Sequence, residues 1–127
     1  MSARLTLSVL PERYAVVQLS PGAPPPVPVG ALWSLTRTPD ELSLVCEEAQ
    51  VPPGVKVAGG WVAFKLHGPF EFTLTGILAS VLDPLRDAGV GIFALSTFDT
   101  DYVLVQADTQ SRATAVLRAA AHTVLEG

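Results

Sequence analysis

Hydrophobic spacing divides the chain into a strand-only first part and a mixed second part. In "GGWVAFKL" (59–66), Val62, Phe64 and Leu66 fall on one face and Trp61, Ala63 and Lys65 on the other, the two-residue period of a strand. The loop "HGPFEF" follows. The stretch "TLTGILASVLDPLRDAG" (73–89) then places Leu74, Ile77, Leu78, Val81, Leu82 and Leu85 at spacings of three and four, which predicts an amphipathic helix. Thr73 is its expected cap, residues 73–76 its first turn, and Gly89 its left-handed stop. Pro84 sits inside this pattern and predicts a kink or break in the last turn.

"GIFALSTFDTDYVLV" (91–105) reads as two strands around an aspartate-containing turn. Its first strand, 91–97, is apolar on both faces, as a central strand is. "ADTQSRATAVLRAAAHTVL" (107–125) predicts a second helix, capped by Asp108 or Thr109, with Ala113, Val116, Leu117, Ala120 and Val124 as its stripe. The first part holds no helical pattern. "RLTLSVL" and "YAVVQLS" flank "PER" and read as a hairpin. "ALWSLTR" and "ELSLVCEE" flank "TPD" and read as a second one, with Pro39 and Asp40 suited to a type I turn. Between them "PGAPPPVPVG" (21–30) is too rich in proline for a helix or a central strand. It reads as a stiff extended connection, or on pattern alone as a PxxP ligand.

The second part is therefore β-α-β-β-α, a ferredoxin-like split βαβ unit short of one final strand. The strand-rich first part is the expected source of that strand. The fold class is α+β, ferredoxin-like βαββαβ, in two unequal tandem halves that share sheet strands. Residues 1–54 form the degenerate, mostly β half, and residues 55–127 the fuller one.

Composition narrows the function. Of 127 residues, 49% are apolar and only 16% charged, which predicts apolar surface hidden in a homodimer. The net charge is −4 and the few basic residues are scattered, which argues against nucleic acid and against anionic membranes. No run approaches a membrane span, and the N-terminal apolar run breaks at Pro11, Glu12 and Arg13 without a signal-peptide pattern. Cys46, the one cysteine, closes the apolar run "LSLVC" and reads as a buried thiol, consistent with a cytoplasmic protein.

Fold alone does not name a function. An RNA-recognition domain needs aromatics among basic residues, and a phosphate-binding enzyme of this topology needs an arginine that "HGPFEFTLTG" lacks. His67, His122 and Cys46 lie apart in sequence, so no metal set, nucleophile–base pair or cofactor motif is recognisable. The expectation is a non-enzymatic protein with neither cofactor nor metal.

A resemblance then becomes specific. Gly76, Ile77 and Leu78 at the helix opening, "DAGVGIFALSTFDTDYVLV" (87–105) and "SLTRTPDELSLVCEE" (34–48) together resemble the ACT domain. More narrowly, they are similar to the ACT subfamily shared by the cytosolic arginine sensor, aspartate-kinase regulatory regions and small stand-alone bacterial proteins. The resemblance implies tandem ACT-like modules, a homodimer, an amino acid as ligand and an effector protein as a further partner. It places an acidic ligand contact at Asp101.

The chemistry of the residues fits such a ligand. An amino acid offers a carboxylate that free amides at a helix start hold, and an ammonium that needs an anionic partner. The strand–helix loop 67–77 supplies Gly68, Glu71, Thr75, Gly76 and Ile77, and the 96–101 turn supplies Thr97, Phe98, Asp99 and Asp101. Each has a plainer role: glycine for close packing, Asp99 as a turn former, Phe98 as core, Glu71 as a solvated charge. The alternative function is a ligand-free dimerisation or protein-interaction module.

Overall fold

The computed structural model describes residues 4–71 and 75–126. In chain order the elements are β1 (Thr6–Leu19), β2 (Ser34–Arg37), β3 (Leu42–Glu47), β4 (Lys56–Leu66), α1 (Ile77–Asp87), β5 (Ile92–Ser96), β6 (Asp101–Gln106), α2 (Gln110–Ala119) and β7 (Thr123–Glu126). Single 3-10 turns at Glu48–Gln50 and Ala107–Thr109 follow β3 and β6. The chain forms two compact units: Met1–Pro11 with Val62–Gly127, and Glu12–Trp61. We call them the helical unit and the strand unit.

In the helical unit, β4-α1-β5-β6-α2-β7 completes the βαββαβ order. Hydrogen bonding runs β7–β1–β4–β6–β5. The final strand comes from Thr123–Glu126, inside the segment expected to be helical, and lies parallel to β1 with Thr6 opposite Thr123. Helix α2 stops early because Ala121 takes a left-handed φ of 74° and the His122 amide turns back to the Leu117 carbonyl at 3.1 Å. An alanine at this stop gives no glycine signal, so the helical period ran on past it. The first half of β1 is an insertion between the last and first strands of the ferredoxin-like order.

Two further expectations are corrected. "PER" is not a turn: β1 is one strand, and Pro11 lies between its ladder to β7 (6–9) and its ladder to β3 (14–19), where no amide of β1 is needed on that side. Strand 92–96 is at the edge rather than the centre. The central strand of that hairpin is β6, where Val103, Leu104 and Val105 are fully buried while Ile92 is 38% exposed.

The core of this unit joins Phe64 and Leu66 of β4, Val103 and Val105 of β6, Val81 and Leu85 of α1, and Ala113 and Leu117 of α2. Each buried Val, Leu or Phe contributes about 1.5–3 kcal/mol. Pro84 neither ends nor breaks α1, which continues to Asp87. Proline cannot donate to the Ser80 carbonyl four residues back. Buried His122 takes that place: its Nε2 is 2.8 Å from the Ser80 oxygen, and its Nδ1 accepts the Leu5 amide at 3.0 Å. The two partners assign the Nε2–H tautomer. Thr73 and Leu74, the expected cap and first stripe residue, lie outside the described residues.

In the strand unit, hydrogen bonding runs β2–β3–β1–β4, with Ala15, Val17, Leu44 and Cys46 buried against partly buried Leu19, Leu35, Val51 and Val55. Burial, and secondarily the charge of Glu47, raises the Cys46 thiol above its ordinary value, which keeps it an inert core group. The proline-rich segment is tied at both ends. Arg37 donates to the Pro21 carbonyl and, at 2.8 Å, to the Ala23 carbonyl, while Glu47 accepts the Ala31 amide at 3.1 Å. Gly30 sits at a φ of 121°, a conformation that L side chains rarely adopt, with the Glu47 carboxylate beside it. Within the segment Pro28 is buried, whereas Pro21, Pro24 and Pro25 are exposed.

Candidate functional site

The loop after β4 is stitched to the β5–β6 turn. The buried Thr100 hydroxyl donates to the Leu66 carbonyl at 2.6 Å, and the Phe70 amide donates to the Asp99 carbonyl at 2.8 Å. Gly68 makes this approach possible: a Cβ would lie 2.7 Å from the Asp99 carbonyl oxygen and 3.3 Å from the Thr100 Cβ. Its position is explained by close packing. The turn itself is closed by Thr97, whose amide and hydroxyl donate to the Thr100 carbonyl at 2.8 and 3.1 Å, while its hydroxyl accepts the Thr100 amide at 3.3 Å. A threonine hydroxyl here does the work of a backbone acceptor.

A cavity of about 180 Å³ lies between the turn and the start of α1. Phe70, Glu71 and Ile77 line one side, and Ser96 through Asp101 the other. Of the sequence-predicted residues, Glu71, Ile77, Thr97, Phe98, Asp99 and Asp101 meet there. Gly68 lies off it, in an adjoining depression with Lys65, Pro69 and Tyr102. Thr75 and Gly76 are exposed and line neither. Gly76 is not in the first helical turn as expected. It is the N-cap of α1, at a φ of 80° that glycine adopts without cost, and no side chain among the described residues caps the helix. The first turn of α1 contains no acidic residue.

Sequence reading did not include Phe70, Ser96 and Thr100. Ser96 is the cross-strand partner of Asp101, and its hydroxyl donates to the Asp101 carboxylate at 2.5 Å. The hairpin register was the signal that pointed to it. Glu71, Asp99 and Asp101 put three carboxylates on one small cavity, and among the described residues none of them forms an ion pair. Among the described residues, no group of three His, Cys, Asp or Glu side chains is placed to hold a metal ion. His67, just after β4, is engaged by the Ser8 hydroxyl at 2.5 Å. No helix among the described residues is long and apolar enough to cross a membrane.

The chain is similar to several known proteins. A crystal structure of protein Atu0741 from Agobacterium tumefaciens superposes with a TM-score of 0.93 at 40% identity, over 99% of this chain and 96% of that one. The aspartate kinase of Clostridium acetobutylicum shares the fold, with a TM-score of 0.65 at 12% identity, over 90% of this chain and 34% of that one. The bovine cytosolic arginine sensor for mTORC1 subunit 1 is 32% identical over 85 residues, and human CASTOR3P 33% identical over 86, each over 58% of this chain. The aligned segments span about a quarter of the bovine protein (26%) and about half of the human one (53%). A family model described as an N-terminal domain matches residues 12–54. The ACT domain model matches residues 56–119, and the chain belongs to the ACT domain family.

Proposed function

We propose that the chain is a regulatory protein that binds an amino acid between the strand–helix loop 67–77 and the 96–101 turn, and that it acts as a homodimer on an effector protein. The observation that carries the reading is the carboxylate-walled cavity at the start of α1. Amides at a helix start suit an anionic group, and the Asp101 and Asp99 carboxylates suit a cationic one, the two demands of a zwitterion. Phe70, Phe98 and Ile77 provide apolar surface for the rest of the ligand. A relative named as an arginine sensor supports a regulatory role. The three acidic groups favour a ligand with a cationic side chain.

The test is a thermal-shift screen with the proteinogenic amino acids on wild type and Asp101→Asn. A ligand that binds only the native state stabilises it by RT ln(1 + [L]/Kd), and Tm rises accordingly. The expected result is a shift in the wild type that the variant loses; no shift from any amino acid at millimolar concentration ends the reading. Light scattering tests the dimer. The interaction-module alternative draws on Phe98, which is 80% exposed at the turn tip. It predicts that Phe98→Ala weakens self-association or effector capture while Asp101→Asn changes nothing measurable.

A further inference from the structure

The two units carry the same hairpin. A shift of 59 residues takes Arg37 opposite Leu42 to Ser96 opposite Asp101, and Ser34 opposite Val45 to Phe93 opposite Leu104. It takes the 3-10 turn Glu48–Gln50 to Ala107–Thr109. The turns match as well. Thr38, like Thr97, donates its amide across the turn at 2.8 Å, to Glu41, and accepts the Glu41 amide on its hydroxyl at 3.2 Å. In each unit one strand pairs beside this hairpin, β1 on β3 and β4 on β6, and the chain leaves that strand past the turn.

What lies between the departing chain and the hairpin differs. In the helical unit Ser96 and Asp101 face an open cavity. In the strand unit the residue equivalent to Ser96 is Arg37, and its guanidinium crosses to the departing chain, donating to the Pro21 and Ala23 carbonyls. That chain contains Pro21, Pro24, Pro25, Pro26 and Pro28, so it offers carbonyl acceptors with few amide donors. A guanidinium is the complementary group, with five donors and no acceptor.

We propose that Arg37 is a built-in ligand. Its guanidinium fills in the strand unit the place that the open cavity keeps free in the helical unit, and this occupancy holds the proline-rich strap down. The chain then has one open site and one self-occupied version of it, and emptying the second exposes a site for a planar, donor-rich cation. The comparison with a ligand rests on the proposed function of the cavity, whereas the occupancy by Arg37 does not.

The experiment empties the place and refills it from solution. In Arg37→Ala, elastase cleavage between Val29 and Leu32 is expected to quicken about tenfold, because local opening sets the rate. Guanidinium chloride at low millimolar concentration is expected to restore protection in the variant. Ammonium chloride at equal ionic strength restores none, and neither salt changes the wild type. Arg37→Lys keeps the charge without the fork, and is expected to cleave faster than wild type and to gain nothing from guanidinium. It serves as the readout if the alanine variant does not fold. Repeating the rescue with Asp101→Asn present separates the two sites: rescue persists if the guanidinium acts at the strand unit. Unchanged cleavage in Arg37→Ala, equal rescue by ammonium, or rescue lost with Asp101→Asn each overturns the proposal. An amino-acid screen that fails while rescue succeeds removes the reading of the cavity and leaves Arg37 as an internal occupant.

Discussion

The β2–β3 and β5–β6 hairpins share register and turn chemistry, yet one abuts a guanidinium tie and the other an acidic cavity. Within 34–50 and 93–109 only Thr38 with Thr97 and Asp40 with Asp99 are identical. The shared threonine and aspartate mark the common turn, and the other positions of the two hairpins differ. Where the strand unit has Arg37 and Leu42, the helical unit has Ser96 and Asp101, and the difference between a closed and an open place follows from that cross-strand pair.

Perturbing the helical unit alone gives the largest effect. His122→Ala strands the Ser80 carbonyl and the Leu5 amide in the core, and a loss of about 2–4 kcal/mol is expected from denaturant unfolding. Gly68→Ala forces the Asp99 carbonyl away from the loop, with an expected cost of about 1–3 kcal/mol and loss of any ligand-induced Tm shift. Asp101→Asn is expected to leave the fold intact and weaken ligand binding about tenfold or more by calorimetry, since it removes a charged acceptor. Thr38→Val and Thr97→Val test the equivalence directly. Each removes a hydroxyl that accepts a turn amide, and both are expected to cost about 1 kcal/mol; a large disparity would break the comparison.

The smallest effect is a pH dependence from the strand unit. Native Cys46 holds its proton more tightly than the unfolded chain does, because of burial first and Glu47 second. Its contribution is complete below the ordinary thiol value of about 8.5 and is lost as pH rises through the elevated native value. Cys46→Ala is expected to flatten the alkaline limb of the stability profile.

Much of this was legible where a single period dominates. The alternation of Trp61–Leu66 and the four-residue spacing of Ile77, Val81 and Leu85 translate directly into β4 and the core-facing side of α1. The failures have physical causes. "RAAAHTVL" keeps a helical period because alanine is the best helix former, and only the left-handed turn at Ala121 releases β7. "PER" mimics a turn because proline breaks most strands, but here it falls between two ladders. Edge and centre were exchanged for residues 92–96 because apolar composition on both faces does not report neighbours. At the site, aspartates at a turn were visible from residue type, while the Ser96–Asp101 bond depended on a register that sequence leaves open. The threonine-based repeat was hidden because so few of its positions keep their identity.

The parallel pairing of β1 with β7 ties Thr6 to Thr123, a closure that spans nearly the whole chain. Long-range pairs of this kind form late, since the ring they close must be ordered first. During synthesis Glu12–Trp61 has all its own strands well before Thr123–Glu126 leaves the ribosome. The expected sequence is therefore an early strand unit and a helical unit that waits for its last residues, with the carboxylate cavity assembled in the slower part.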